Sequence, residues 1–141
     1  MKKSIVLLAS FCLALVLSAC GSVEQYELDG TWNYTSTLTQ SDFEDAEIGA
    51  TFDGELVVVA TETTVTFTDE NDLTGESSLV TARDGNKVIY SDAATDELGS
   101  FEIVFEGTFT SATSFSGTLT ESETFDGETS SETQEIVMTK Q

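Results

Sequence analysis

The side chains that could do chemistry in this chain are two cysteines and 26 carboxylates, and there is no histidine. Without histidine, a Ser-His-Asp or Cys-His arrangement for nucleophilic catalysis cannot form within the chain. Histidine is also the commonest metal ligand and the usual general base near neutral pH. The chemistry left to the chain is therefore that of a thiol and of grouped oxygen atoms.

The thiol of Cys20 follows a segment that is typical of a secretory signal. Two lysines open the chain, an apolar stretch runs from Ile5 to Leu17, and two small residues lead to the cysteine. The stretch is shorter than the roughly 20 apolar residues that a membrane-spanning helix needs. We therefore predict a cleaved signal peptide over residues 1–19. The alternative is an ordinary secretory signal in which the cysteine stands by chance.

The run Leu17-Ser18-Ala19-Cys20, followed by Gly21, resembles the lipobox of bacterial lipoproteins. The resemblance implies that the chain is cut before Cys20 and that this cysteine is acylated. It would then attach the chain to a membrane, because two or more acyl chains hold firmly where one is marginal. Gly21 stands where an aspartate would mark retention at the inner membrane. In a cell with two membranes, the resemblance therefore implies the outer membrane, with the domain in the periplasm or at the surface.

The mature part that begins at Cys20 is long enough for one domain and is strongly acidic. It holds all 26 acidic residues and three basic ones, Arg83, Lys87 and Lys140, which leaves a net charge of −23. Such a surface repels phosphate backbones and anionic lipid headgroups, so we predict no nucleic-acid binding. A salty habitat explains this acidity better than a dedicated cation-binding role. With Cys12 removed and Cys20 acylated, no cysteine remains for a disulfide.

The carboxylates form one dense cluster that could ligate a cation, Asp69-Glu70-Asn71-Asp72. Calcium takes six to eight oxygen ligands, but Leu73 and Thr74 break the spacing of an EF-hand loop. A solvated acidic turn is the interpretation that we favour. Paired carboxylates can also hydrolyse glycosides, but no cleft-lining set of aromatic residues accompanies them. We predict no metal, no cofactor and no enzymatic activity.

The mature chain has the pattern of β-strands almost throughout, because Thr, Val, Phe and Ser dominate and apolar residues recur at every second position. The clearest strand is Phe101–Phe109, in which Ile103 and Phe105 share a face with the two terminal phenylalanines. The pattern predicts eight strands, at residues 31–38, 55–60, 63–68, 73–82, 87–91, 101–109, 115–125 and 129–139.

The connections between these strands are short, which predicts antiparallel neighbours. Asp84-Gly85 has the composition of a type I′ turn, and Asp126-Gly127 marks another turn. In the long acidic segment 40–52, Ser41 could cap one helical turn that lies over a barrel mouth. The predicted fold class is all-β, a small antiparallel up-and-down barrel of about eight strands. The alternative is a two-sheet β-sandwich.

At the start of the first strand, Leu28-Asp29-Gly30-Thr31-Trp32 contains a Gly-x-Trp motif. With this motif and eight strands over residues 29–141, the chain resembles the lipocalin-like barrels of the calycin group. The resemblance implies that Trp32 closes the barrel floor and packs against a basic side chain near the last strand, for which Lys140 is the candidate. It also implies a cup for a small apolar ligand. Residues 20–28 would be the lipidated cysteine and a short tether.

Five inward-facing aromatic residues are the predicted ligand contacts: Trp32, Tyr34, Phe101, Phe105 and Phe115. The eight phenylalanines of the mature part, together with Ile89, Leu119 and Met138, could instead fill the barrel. Two functions therefore stay open. One is a membrane-anchored envelope lipoprotein that binds a small hydrophobic ligand in its barrel. The other is a non-catalytic structural or interaction lipoprotein with a solid core and an acidic surface, whose protein partner the sequence does not name.

Overall fold

Each strand of the barrel pairs with the strand that follows it, and the last strand pairs back with the first. The computed structural model describes residues 24–69 and 78–141, which form a closed antiparallel barrel. Its strands are β1 (Gly30–Ser41), β2 (Thr51–Ala60), β3 (Thr64–Asp69), β4 (Ser78–Asp84), β5 (Lys87–Thr95), β6 (Gly99–Ser111), β7 (Ser114–Phe125) and β8 (Glu128–Lys140). The predicted all-β barrel is confirmed. The predicted signal peptide and Cys20 lie outside the described residues.

The strand bounds differ from the predicted ones mainly at one end of the barrel. Strand β2 begins four residues earlier than predicted, at Thr51, and β5 continues to Thr95 instead of ending at residue 91. Strand β4 is described from Ser78 onward, and the predicted strand residues 73–77 lie outside the described ranges. The extensions fall in Thr-, Ala- and Asp-containing segments that lack apolar alternation, where pairing with the neighbouring strand decides the strand end.

The two hairpin turns that contain Asp-Gly differ from each other. Asp126 and Gly127 both have positive φ, 51° and 81°, which a type I′ turn requires. The β4–β5 hairpin instead turns one residue later than predicted, at Gly85 and Asn86. In this turn Gly85 has a φ of 61°, which is the type II′ pattern with glycine first. The predicted type I′ turn at Asp84-Gly85 is therefore wrong, because Asp84 pairs with Lys87 as the last residue of β4.

The two ends of the barrel carry different connections. We call the end that holds residues 24–29 and the β2–β3, β4–β5 and β6–β7 turns the closed end. The opposite end, with the β1–β2 loop, the β5–β6 turn and the β7–β8 turn, is the mouth end.

The helical turn expected around Ser41 is absent from the β1–β2 loop, residues 42–50, which consists of bends and turns. The Ser41 hydroxyl accepts a hydrogen bond from the Phe43 amide at 3.2 Å, which makes a local side-chain turn. Asp42 ties the loop sideways to β8, because its carboxylate accepts hydrogen bonds from the Ser131 amide and hydroxyl. These bonds hold the start of the loop against β8, and the Ala46 amide donates to the Phe43 carbonyl at 3.2 Å, which closes a single turn that does not continue into a helix.

A cluster of aromatic rings packs the interior near the closed end. Trp32 is fully buried and meets Phe109 edge to face, with ring centroids 5.5 Å apart. Phe109 lies 4.9 Å from Phe115 and 6.4 Å from the parallel ring of Phe67. Aromatic pairs at these separations add to the burial term of each ring. Glycine is required at Gly107, because a side chain there would collide with the ring of Phe115.

Half of the mature part's phenylalanines lie outside this core. Phe43, Phe52, Phe101 and Phe125 are exposed, whereas the other four are buried. Ile89 is also exposed and points away from the barrel, because Val88 takes the inward position on β5. The expectation that the phenylalanines and Ile89 together fill the barrel is therefore wrong for these five residues.

The N-terminal segment seals the closed end with the help of a buried arginine. The guanidinium of Arg83 donates hydrogen bonds to the carbonyls of Gly85 at 2.8 Å, Thr61 at 2.9 Å and Tyr26 at 3.0 Å. Burial lowers the pKa of Arg83, and the charge of Asp29 acts in the opposite direction. Leu28 is buried beside it and its carbonyl accepts the indole N–H of Trp32 at 2.9 Å.

The buried basic side chain of this end is that of Arg83 on β4, whereas the resemblance gave Lys140 as the candidate for packing against Trp32. Lys140 is the register partner of Trp32 on β8 and is only half-buried. Its aliphatic chain lies over Gly30, where an added Cβ would come within 2.9 Å of the lysine Cε. Lys140 therefore covers the backbone at the start of β1.

Candidate functional site

A cavity of about 580 Å³ lies inside the barrel, on the mouth side of the aromatic floor. Its wall is almost entirely apolar. The residues that line it are Tyr34, Leu56, Leu79, Ile103, Leu119 and Ile136, with Phe67, Phe105 and Met138 at its base and Ser78 at one side. Cavities of this size and composition hold small organic molecules in other proteins. This is therefore the candidate binding site.

The strands produce this cavity because side chains shrink or turn polar from the floor toward the mouth. On β7 the inward positions are Phe115, Gly117 and Leu119 in that order, and on β8 they run from Met138 to Ile136. Large rings fill the narrow floor. Aliphatic side chains then line the wall without meeting across the barrel.

Tyr34 lies on the wall of the cavity because its neighbour across the sheet has no side chain. Gly54 on β2 is its register partner, and a Cβ at position 54 would collide with the tyrosine ring. The glycine therefore allows the ring to lie close against β2.

The structure separates the five predicted ligand contacts into three groups. Tyr34 and Phe105 line the cavity. Trp32 and Phe115 belong to the packed floor and do not reach its wall. Phe101 lies beyond the cavity at the mouth end, exposed to solvent, and lines a shallow groove with Leu98 and Phe125.

A chain of polar side chains stands on one inner wall between the cavity and the mouth. The Ser36 hydroxyl donates to Gln134 Oε1 at 2.6 Å, and Gln134 Nε2 donates to Glu132 Oε1 at 3.2 Å. Glu132 is the register partner of Glu121 on β7. Burial raises the pKa of Glu121, and the adjacent Glu132 raises it further through charge repulsion and a hydrogen bond.

Sequence reasoning missed these four residues, although a signal for them existed. Glu121 is two positions from the inward-facing Leu119 on β7, and Gln134 and Glu132 are two and four positions from the inward-facing Ile136 on β8. Because alternate residues of a strand share a face, all three face inward. A polar residue at an inward position near a strand end is the expected sign of a solvated barrel mouth. The wall above the cavity therefore offers carboxylate, amide and hydroxyl groups.

The barrel wall beside the cavity has one weak seam, between β4 and β5. Within the described residues these strands pair only where Ala82–Asp84 meets Lys87–Ile89, near the closed end. Toward the mouth, Leu79 of β4 borders the cavity without a ladder partner on β5. Every other neighbouring pair has a longer ladder. The cavity is thus enclosed least firmly on this side.

The described part of the chain contains no helix with the length and apolarity to span a membrane. Across residues 24–69 and 78–141, no three carboxylates come together as ligands for a metal ion. Most of the acidic run 69–72 lies outside these ranges.

Comparison with known proteins gives one finding about the fold. No protein-family model matches the sequence, and the search of curated proteins gives no match. Among solved structures, the barrel is similar to the monomer form of the sensor domain of PknI from M. tuberculosis. The similarity has a TM-score of 0.54 at 11% sequence identity, and it covers 81% of this chain and 87% of that one. The shared feature is the fold.

Proposed function

We propose that this chain is an envelope lipoprotein, attached to a membrane through acylated Cys20, whose barrel binds a small hydrophobic molecule. The observation that carries the proposal is the apolar cavity of about 580 Å³ above a packed aromatic floor. A barrel of eight strands has room for packed side chains or for one small ligand. Here aromatic packing fills the floor, and the space above it is open to a ligand.

The position of the N-terminal segment supports an anchor at Cys20. Residues 24–29 lie against the closed end, where Gln25 donates to the Glu62 carbonyl and the Tyr26 amide donates to Asn86. Glu24 is four positions after Cys20, so chain geometry limits their separation to at most about 14 Å. The closed end would then stand next to the membrane, and the mouth would face away from it.

The structural neighbour supports a non-catalytic role. That protein is a sensor domain and not a catalytic domain. The polar chain above the cavity supplies groups that could orient the polar end of a ligand, which is how an apolar pocket gains specificity. In a cell with two membranes, the proposed location is the outer membrane.

The anchor is tested by the substitution Cys20→Ala in the full-length chain. We expect the parent protein to stay with the membrane fraction through washes at high salt, and the variant to be released or to accumulate as uncleaved precursor. Mass spectrometry of the parent's N-terminal peptide should show acyl chains on Cys20. An unmodified N-terminal peptide would contradict the anchor.

The cavity is tested with the chain from residue 20 onward carrying Cys20→Ala, since every strand pairing of the barrel lies within residues 30–140. A neutral fluorescent dye, N-phenyl-1-naphthylamine, serves as the probe because the acidic surface does not repel it. Leu119→Trp places an indole in the cavity and should weaken dye binding at least about tenfold. Native mass spectrometry of the same protein should show a co-purified apolar molecule.

The matched control is Val137→Trp, which adds the same side chain to an exposed position on the outer wall of β8. It should leave dye binding unchanged. Ile136→Phe is a smaller change in the same cavity and should weaken binding less than Leu119→Trp. Equal effects of the inner and outer substitutions, in variants whose circular dichroism matches the parent's, would refute a ligand site in the barrel.

A further inference from the structure

Six large apolar side chains are exposed at the mouth end, and we call them the mouth rim. They are Phe43 and Ile48 of the β1–β2 loop, Phe52 of β2, Leu98 of the β5–β6 turn, Phe101 of β6 and Phe125 of β7. Leu98 and Phe125 are the most exposed, at 71% and 65%. The described turns of the closed end expose no such side chain, and the exposed apolar residues near that end are Val59, Ile89 and Val137 on the outer wall of the strands. Grouped apolar exposure with a polar surround marks an interaction site.

A groove of about 270 Å³ lies within the mouth rim, where the β5–β6 turn meets the end of β7. Leu98, Phe101 and Phe125 line it, and their strands are adjacent because Gly99 pairs with Phe125. The mouth rim continues across β8 to Phe43, since the β1–β2 loop is bonded to Ser131. The apolar side chains therefore extend around the barrel mouth from the β5–β6 turn to β2.

Hydrogen bonds order the turns that present these side chains. The Asp96 carboxylate accepts from the amides of Leu98 and Gly99 at 2.8 and 3.0 Å. In the β1–β2 loop, the Leu38 amide donates to the Ala50 carbonyl, and the Gly49 amide donates to the Leu38 carbonyl. Binding to a surface that is already ordered costs less conformational entropy. This favours a recognition surface over loose loop tips.

The charges around the mouth rim have one sign. The loops and turns that carry it contain Asp42, Glu44, Asp45, Glu47, Asp96, Glu97 and Asp126. The three basic residues of the mature part are at or near the closed end: Arg83 beside Tyr26, Lys87 next to the β4–β5 turn, and Lys140 opposite Trp32. The mouth end thus combines exposed apolar side chains with carboxylates that have no basic neighbour in its described connections.

The combination of exposed apolar side chains and carboxylates indicates which kind of partner the mouth rim can bind. A second copy of the chain would bring carboxylates against carboxylates, and an anionic bilayer or a nucleic acid would be repelled in the same way. We propose that the mouth rim docks a basic amphipathic segment of a partner protein, with apolar side chains in the groove and lysines or arginines facing the acidic loops. The proposal is independent of the cavity and goes beyond ligand binding.

The test measures the binding of three synthetic peptides of equal length to the Cys20→Ala chain that starts at residue 20. One peptide is an amphipathic repeat of leucine and lysine, the second replaces leucine with serine, and the third replaces lysine with glutamate. Fluorescence anisotropy at physiological salt should show the leucine–lysine peptide binding at least about tenfold tighter than the serine–lysine peptide. The glutamate peptide should not bind.

Two double variants separate the mouth rim from the overall charge. Leu98→Ser with Phe125→Ser should weaken binding of the leucine–lysine peptide at least about fivefold. Binding of the serine–lysine peptide should stay unchanged. The control is Val59→Ser with Val137→Ser, which removes two exposed apolar side chains from the outer wall and should have no effect. Leu119→Trp, which fills the cavity, should also leave peptide binding intact.

Several results would overturn the proposal. Equal binding of the leucine and serine peptides, or equal losses in the mouth-rim and control variants, would show attraction by charge alone. Sedimentation showing a dimer that the mouth-rim variant disrupts would assign the surface to a second copy. Flotation of the unanchored chain with anionic vesicles would assign it to a bilayer. Loss of peptide binding in Leu119→Trp would make the mouth rim part of the cavity site.

Discussion

The two ends of this barrel use the same residue types in opposite ways. At the closed end, Trp32 and four buried phenylalanines pack ring against ring, and a buried arginine fixes the incoming chain. At the mouth end, the other four phenylalanines are in solvent, and carboxylates stand on the inner wall. The difference indicates that stability is concentrated at one end, which leaves the other end free to bind.

The contrast also explains why a chain of this size keeps a cavity. A space inside a small barrel removes contacts that would stabilise the fold. The dense aromatic floor and the closed ring of strands compensate for that loss. The contrast predicts that matched substitutions at the two ends have effects of very different size.

Truncation of an aromatic side chain should be severe at the closed end and nearly neutral at the mouth. Trp32→Ala should lower the free energy of unfolding by about 3–5 kcal/mol, because it removes a buried ring and leaves a cavity. Phe125→Ala, at an exposed ring, should change it by less than about 0.5 kcal/mol. Urea unfolding followed by circular dichroism measures both. If Trp32→Ala does not fold, Phe109→Leu replaces it, with an expected loss of about 1–2 kcal/mol.

Removal of a basic side chain should matter only where its hydrogen bonds seal the closed end. Arg83→Ala leaves three carbonyls without their donor and should cost about 2–3 kcal/mol. It should also make residues 24–29 sensitive to protease before the barrel unfolds. Lys87→Ala removes an equal charge from an exposed position nearby and should do neither. Similar unfolding midpoints for the two variants would show that the N-terminal segment is held in another way.

The smallest effect should come from the carboxyl pair at the mouth. Because the folded pKa of Glu121 is raised, the folded chain binds more protons than the unfolded chain just above the ordinary glutamate pKa. The parent should therefore gain stability as the pH falls from neutral into that range. Glu121→Gln should be slightly more stable than the parent at pH 7 and should lose this gain. We expect a rise in melting temperature of a few degrees at most, because the pair is partly solvated.

Glu106→Gln, on the outer wall of β6, is the control for the general relief of repulsion in an acidic protein. It should keep the pH-dependent gain that Glu121→Gln loses. Identical pH profiles for the two variants would mean that Glu121 and Glu132 do not interact in solution.

The sequence predicted the strands well because a barrel buries only one face of its sheet. That arrangement imposes a period of two, and the alternation in Phe101–Phe109 assigned those residues to the correct strand. The alternation fails where three apolar residues adjoin, as in Val88-Ile89-Tyr90. Ile89 was therefore predicted to be inside although it points outward.

The candidate site was only partly predictable from the alternation of residues along each strand. The alternation shows which face of the sheet a residue is on, but not how far along the barrel axis it lies. Trp32, Tyr34, Phe101, Phe105 and Phe115 were all predicted to face the ligand. Two lie in the floor, two line the cavity and one lies at the mouth. Height depends on the register between strands, which the sequence of one strand does not contain. The same limit applies to Glu121. Its inward direction could be predicted from the sequence, but its partner on β8 could not.

The order of strands around the barrel has a consequence for how the chain folds. Seven of its ladders join consecutive strands, and one, between β1 and β8, joins the first strand to the last. Asn33 and Gln141, which are hydrogen-bonded at this junction, stand 108 positions apart. Local hairpins form readily, whereas distant segments must first overcome the entropy of closing a long loop. We expect an open meander to assemble first, and the docking of β8 onto β1 to set the refolding rate.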